Sequence, residues 1–536
     1  MNKKLFIKMF DTSNNRRYFL VSLIFAVVII SGVLRIFTFS SGIYNYDVYD
    51  FVEDITWAKV SINAKSVIDP EYIYYYIVPF GPNLLMAPFV MFLGPGLLAN
   101  QLGMLVYFLL YLFILYRLSA SIYHEKIQRL LFCSIVSLFI YTYIGDNLLH
   151  HLLCYGIGFI CYLGELSCAL QIFHHKNEKK NLFLFGVLSL WCSLNGAASA
   201  VLANIPILLC LLFGFYQNKT YLDKRKQMIL FNVVVTTVIG LLIFRYFDNK
   251  ALTLNMYEAR YTLTSADNIV KNLLLALPAD YLRIFYCDKK GVGFFTAEGV
   301  YFFIKLLFAV LVFVFSAIFG FCEKKKKRIE TNNNRFLLLG SAIFIILVCI
   351  FQCVFSEITS SRCLFNGVLC LFIICALYIT DNIDNVCKLF LPLLSTFVML
   401  MGCKIMFINI PSGKEKQMEY VNLADVIEDH GLSYGYSLVW EYTVLDVLSD
   451  GEIVNRHIVY DESIGYFYVN ANRIYVSEQK KPKEVEQFYV LSDIPFNSES
   501  EYYVLLKETS REYISYDKYT VYVYDISDWD RLFVER

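Results

Sequence analysis

Long apolar runs divided by short polar segments set the pattern of this chain, and the lengths of the runs match helices that cross a bilayer. The first run, residues 18–39, follows a basic start with Lys3, Lys4, Lys8, Arg16 and Arg17 and has no small-residue cleavage site, so it reads as a retained signal-anchor helix. Further runs centre on 97–116, 130–144, 149–173, 181–194, 197–216, 228–246, 300–321, 336–355, 363–380 and 389–407, which predicts about eleven transmembrane helices. The two short runs around Asn195 and Gly196 read as a hairpin or a broken helix. Three polar segments are large: 40–96, 247–299, and everything after about residue 408. From Lys414 onward, alternating stretches such as YYVLL and YTVYVYDI predict strands, and Met418 to His430 predicts a helix ended by Gly431. The expected fold is an all-α polytopic membrane domain over 1–407 followed by a small α+β domain over 408–536.

Composition agrees, since 57% hydrophobic and 18% charged residues are too apolar for an ordinary soluble protein. The 47 basic and 47 acidic residues cancel, so no global charge points to nucleic acid. Their distribution is informative: segments placed inside hold about 22 Lys and Arg against about 9 outside before the last helix. This bias predicts a cytoplasmic N-terminus and an extracytoplasmic C-terminal domain, with function in the outer segments. The cluster Lys324 to Arg328 reads as a topology anchor. Cysteines such as Cys133, Cys154, Cys161, Cys168, Cys349 and Cys370 lie singly in apolar runs and read as small core residues; no cysteine follows Cys403, so the C-terminal domain has no disulfide. A P-loop, an HExxH and a nucleophile elbow are all missing, which argues against ATP-driven transport by this chain. No internal repeat is visible, which weakens a transporter reading.

The first outer segment opens IYNYDVYDFVEDITWAKV, placing Asp47, Asp50, Glu53 and Asp54 just beyond the first helix. As a helix, it puts Asp47, Asp50 and Asp54 on one face, with Trp57 a turn further. A carboxylate at a membrane boundary can act as a general base or hold a divalent cation, the single cofactor candidate here. The alternative is a solvated acidic loop. DPEYIYYYIVPFGPNLLMAPFVMFLGPG follows, with breaks that predict an interfacial or re-entrant helix; Tyr72, Tyr74, Tyr75 and Tyr76 read as an interfacial belt or as sugar-stacking rings. GDNLLHHLL sets Asp146 and His150 one helical turn apart. Arg260 in the middle segment and Arg362 at the mouth of a late helix are candidate phosphate clamps. Arg35 and Glu165 are nearly the only charges deep in apolar runs.

In layout, these features resemble the GT-C class of membrane glycosyltransferases, which use polyprenyl-phosphate-linked sugars on the external face. The carriers are the acidic loop after helix one, Trp57-Ala58-Lys59, PFGPNLLMAPFVMFLG, and Asp146 at an outer junction. The stretch GLSYGYSLVWEYTVLDVLSDGEI resembles the tail of a bacterial, uncharacterised branch of the class. The resemblance implies a bacterial plasma-membrane enzyme moving a hexosyl or pentosyl unit from a polyprenyl-phosphate donor to an envelope glycan, lipid or polymer, by inversion. It implies catalytic acids among Asp47, Asp50, Asp54 and Asp146, and substrate contacts from Glu53, Trp57, His150, Arg260 and Arg362, with Arg362 at the leaving phosphate. Competing readings are a polysaccharide polymerase or ligase, a transporter or flippase of lipid-linked sugars, and a non-catalytic assembly partner.

Overall fold

The computed structural model of the chain describes every residue outside 1–12, 40–46, 75, 151, 220, 255–261, 289–292, 294, 327–332, 358–359, 440–442, 471–473, 494–500 and 535–536. The principal helices are α1 Ser13–Ile36, α2 Asp47–Ala64, α3 Leu97–Ile122, α4 Lys126–Val136, α5 Leu152–Phe173, α6 Glu178–Leu194, α7 Asn204–Gln217, α8 Lys224–Asp248, α9 Ala297–Lys326, α10 Asn333–Phe355, α11 Phe365–Asp381, α12 Ile383–Lys404 and α13 Ile410–Asp429. Eight helices among the described residues are long and apolar enough to cross a membrane: α1, α3, α5, α8, α9, α10, α11 and the stretch Phe390–Asp429. Three of the apolar runs give shorter pieces. α4 passes into a 3-10 turn at Ser137–Tyr141, α6 has 17 residues, and the run after Gly196 is split into Ala197–Leu202 and α7. Gly196 sits at φ +101°, a conformation that side chains resist, which ends the preceding helix there.

The chain divides into two compact units: 1–36, 105–245 and 257–408 form the first, and 37–104, 246–256 and 409–536 the second. In the first unit α11 packs against α4, α9 and α10 and is almost entirely buried, whereas α8 and α9 expose apolar side chains such as Phe231, Leu242, Phe303 and Phe313. Such surface is stable only against hydrocarbon. Helices α6, α7 and α8 are tied by Asn204, whose amide donates to the Ser189 carbonyl at 3.0 Å and to the Ser193 and Thr237 hydroxyls at 2.7 Å. Two π-helical turns, Asn272–Ala276 and Ile405–Asn409, each end just before a proline-bearing turn, at Pro278 and Pro411. Proline removes one N–H donor, and a widened turn re-routes the freed carbonyl without ending the helix. That is why α13 begins at Ile410 rather than at the predicted Met418; its end at Gly431, φ +73°, is as predicted.

In the second unit a three-stranded sheet, order β2-β1-β6, joins β1 Tyr72–Tyr74, β2 Leu252–Thr253 and β6 Ile474–Tyr475. Tyr72 and Tyr74 are thereby buried, so these two tyrosines form neither a lipid belt nor a free stacking surface. A six-stranded sheet, order β5-β4-β3-β7-β9-β8, comprises β3 Tyr434–Ser437, β4 Val454–Asp461, β5 Tyr466–Val469, β7 Gln487–Ser492, β8 Glu512–Tyr516 and β9 Tyr519–Asp525. β3 runs parallel to β4 and β7, and the other pairs are antiparallel. Its core is aromatic: Tyr436, Phe467, Phe488, Tyr524, Trp529 and Phe533 pack together, and the Trp529 indole donates to the Tyr436 hydroxyl at 3.0 Å. The PFGP region forms the short helices Pro82–Leu85 and Ala87–Leu93; Met91 and Phe92 are exposed, as an interfacial helix requires.

Candidate functional site

Helix α2, in the second unit, carries the predicted acids. Asp47 and Asp50 lie in its first turn; their side chains fall outside the described residues. Glu53, Asp54 and Trp57 share one face through their spacing and are all fully buried. Trp57 meets Tyr74 and Tyr76 edge-on, with ring centroids 6.0 and 5.3 Å away. Two adjacent acids withdrawn from solvent are costly, which marks this face as a functional candidate.

The other acid behaves differently. In the first unit, the run predicted as one span over 130–144 stops at Thr142, and Asp146 sits on a separate short helix, Tyr143–Leu148. Gly145 permits the close crossing: a Cβ there would lie 2.6 Å from the Ile140 carbonyl oxygen. Arg35 is buried and pairs with Asp146 at 2.5 Å. Its guanidinium also donates to the carbonyls of Ile140 and Thr142. The His150 ring bridges the pair's backbones, with Nδ1 2.8 Å from the Asp146 carbonyl oxygen and Nε2 2.8 Å from that of Arg35. Asp146 and His150 are therefore brought together as the spacing predicts, around a cation that the sequence does not link to them.

A second cationic focus in the same unit is absent from the sequence reading. Lys305 of α9, buried within the run 300–321, lies near the Lys404 amine at the end of α12, with Arg35 as a further nearby charge. The Lys305 amine stands 4.6 Å from the centre of the Tyr286 ring, and the buried Tyr286 hydroxyl has no partner among the described residues. Along the same two helices runs an apolar cavity of about 190 Å³. Ile304 and Phe308 flank Lys305 in sequence, and Leu400 precedes Lys404 by one turn; all three line the cavity. A lone lysine inside an apolar run is the signal that could have exposed this focus.

The second unit holds another cavity, of about 220 Å³, walled by α2, β4, β6 and the turn Val476–Gln479. Its α2 wall is Ile55, Thr56, Lys59, Val60 and Asn63, a different face from Glu53, Asp54 and Trp57. Arg456 is clamped between Asp446 at 2.5 Å and Glu478 at 2.6 Å. Burial opposes its charge, but the two carboxylates more than offset this and hold the guanidinium protonated. His457 beside it is pushed down from 6.5 to about 4 by burial.

Arg362 lies half-buried in the 3-10 turn Ser361–Leu364 of the first unit, its backbone N–H donating to the Ser360 hydroxyl at 3.3 Å. Arg260 lies outside the described residues. Among the described residues no three His, Cys, Asp or Glu side chains gather as a metal site.

No protein-family model and no curated protein matches the sequence. The structure resembles that of ArnT from Cupriavidus metallidurans bound to undecaprenyl phosphate, with a TM-score of 0.59 over 96% of this chain and 98% of that one, at 11% identity. Against ArnT from the same organism in the apo state the TM-score is 0.43, at 12% identity over 94% and 97% of the two chains. The chain thus has a GT-C-like fold: an all-α polytopic membrane domain with a small α+β C-terminal domain.

Proposed function

We propose that the chain is a membrane glycosyltransferase that moves a sugar from a polyprenyl-phosphate carrier to an envelope glycan, lipid or polymer on the extracytoplasmic face of a bacterial plasma membrane. The observation that carries this reading is the amphiphile-shaped arrangement in the first unit: adjacent ammonium groups of Lys305 and Lys404 and the Tyr286 hydroxyl, with an apolar cavity running along the same helices. Lysine amines form charge-assisted bonds to a phosphate, and a lipid phosphate brings that group together with an apolar tail. The GT-C-like fold supports it.

In this reaction a carboxylate takes the acceptor hydroxyl proton as its oxygen attacks the anomeric carbon. The bond from that carbon to the phosphate oxygen breaks, and the electron pair leaves with the lipid phosphate. The configuration inverts. We assign the base to Asp47, Asp50 or Asp54 of α2, with Glu53 and Trp57 shaping the acceptor contacts. Asp146 and His150 are assigned to positioning Arg35, given their contacts. Arg260 and Arg362 remain further candidates for the phosphate.

The test is transfer of radiolabelled sugar from a polyprenyl-phosphate donor pool by membranes carrying the protein. Asp50→Asn or Asp54→Asn is expected to lower transfer by roughly 10²–10⁴-fold at matched expression, the size of a lost general base. Absence of transfer from every donor, or full activity in both variants together with Asp47→Asn, counts against the assignment.

A second reading, flipping of lipid-linked sugars, draws on Glu165: it is fully buried in α5, and neither carboxylate oxygen has a partner among the described residues. Proteoliposomes that move the intact donor across the bilayer without releasing lipid phosphate would favour it.

A further inference from the structure

The cavity beside Arg456 has no role in the transfer steps above, yet its walls have a definite chemistry. Lys59 and Arg456 bring positive charge, Asp446 and Glu478 bring an equal negative charge, and His457 stays neutral near pH 7 because burial disfavours its charged form. A site balanced in this way gives no net attraction to a phosphate or a uronic acid, in contrast to the cation cluster in the first unit.

Its polar groups are suited to hydroxyls. The Asp446 carboxylate already accepts from the Asn455 backbone N–H at 2.7 Å and from Arg456, and Glu478 accepts from Arg456 and from the Tyr475 backbone N–H at 2.9 Å; each oxygen retains a further lone pair. Two lining residues keep one buried polar atom each without a partner among the described residues: Asn455 Oδ1, an acceptor, and Arg456 Nε, a donor. These two atoms are enclosed by protein, so the groups open to a ligand are the Asp446 and Glu478 carboxylates, and a bound group that can donate to them is favoured. A hydroxyl is such a group. The Tyr475 phenol stands at the wall, and its ring meets Tyr72 edge-on at 5.2 Å. Together with Ile55 and Val60 the Tyr475 ring supplies the apolar surface against which the C–H face of a sugar ring packs. The volume of about 220 Å³ equals roughly seven waters at about 30 Å³ each, room for one pyranose and too little for two.

We propose that this cavity binds a single uncharged pyranose unit of the acceptor glycan, held by hydroxyl bonds to Asp446 and Glu478 and by packing on Tyr475. The acceptor assignment rests on the transferase reading; sugar binding itself does not.

The experiment is ligand-observed saturation-transfer NMR on the full chain in lipid nanodiscs. The probes are the methyl glycosides of glucose, galactose, mannose and N-acetylglucosamine, with methyl glucuronide as the anionic control. At least one neutral glycoside is expected to bind with a millimolar Kd, at least tenfold tighter than the glucuronide. Asn63→Leu and Thr56→Leu, which intrude on the cavity from the α2 face, are expected to weaken it at least tenfold with an unchanged unfolding midpoint. The proposal is overturned if no neutral glycoside binds, if the glucuronide binds as well, or if folded Asn63→Leu and Thr56→Leu bind like the parent. Lys305→Gln separates the two readings: it is expected to lower transfer about thirtyfold and leave glycoside binding intact. Transfer without glycoside binding defeats only this inference, while glycoside binding without transfer from any donor defeats the transferase and the acceptor assignment.

Discussion

Each unit of the molecule withdraws a cation from water, and the two are held in opposite ways. Arg456 in the second unit lies between two carboxylates, at 2.5 and 2.6 Å, and completes a local charge balance. Lys305 in the first unit lies beside another ammonium group, with a third cation nearby. A buried cation clamped by acids is part of the architecture, because removing it strands the acids. A buried lysine beside a second lysine offers an anion two charge-assisted donors. The difference separates a residue that shapes a cavity from residues suited to receiving a charged substrate.

The comparison is tested most severely by removing the first-unit charges. Replacing Lys305 and Lys404 together with Gln should lower transfer by about a thousandfold, since two charge-assisted bonds of about 2 kcal/mol each are lost. The unfolding midpoint should stay the same. A double variant that transfers normally, or one that loses stability in proportion to activity, would break the distinction.

Arg456→Met should do the reverse and destabilise the second unit by about 3 kcal/mol, because Asp446 and Glu478 are left facing each other without their cation. Adding Asp446→Asn and Glu478→Gln should recover part of that loss. Denaturant unfolding of the purified protein followed by tryptophan fluorescence reads both effects; Trp529 reports on the core of this unit.

The smallest expected effect is on pH. Burial lowers the pKa of His457 from 6.5 in the unfolded chain to about 4, so the unfolded chain binds the proton more readily. The stabilisation from keeping this ring neutral is fully present above about 6.5 and is lost progressively as pH falls toward about 4. His457→Gln should flatten that part of the stability profile; an unchanged slope between these pH values would remove His457 as its source.

Much of the architecture is legible along the chain because bilayer crossing needs only an uninterrupted apolar run. Gly196 and Gly431 are readable breaks for the same local reason, that their φ values suit glycine. Tyr72 and Tyr74 were not readable as strand residues: β1 pairs with two-residue strands at Leu252–Thr253 and Ile474–Tyr475, too short to carry a period of their own. Among candidate site residues, the acids of α2 stand out by density and Asp146 with His150 by spacing. Arg35, which joins the latter pair, comes from a distant helix and carries no local mark.

Sequence alone therefore determined the membrane class, the apolar runs, the acidic helix and the α+β character of the C-terminal segment, all of which depend on neighbours in the chain. Only the tertiary structure decided that Asp146 is engaged by Arg35, that Lys305 and Lys404 adjoin, and that Asp446, Arg456 and Glu478 wall a cavity with α2. The physical reason is the range of the interactions. Hydropathy and helix periodicity act over a few residues, whereas charge pairing and cavity formation depend on which distant segments packing brings within a few ångströms.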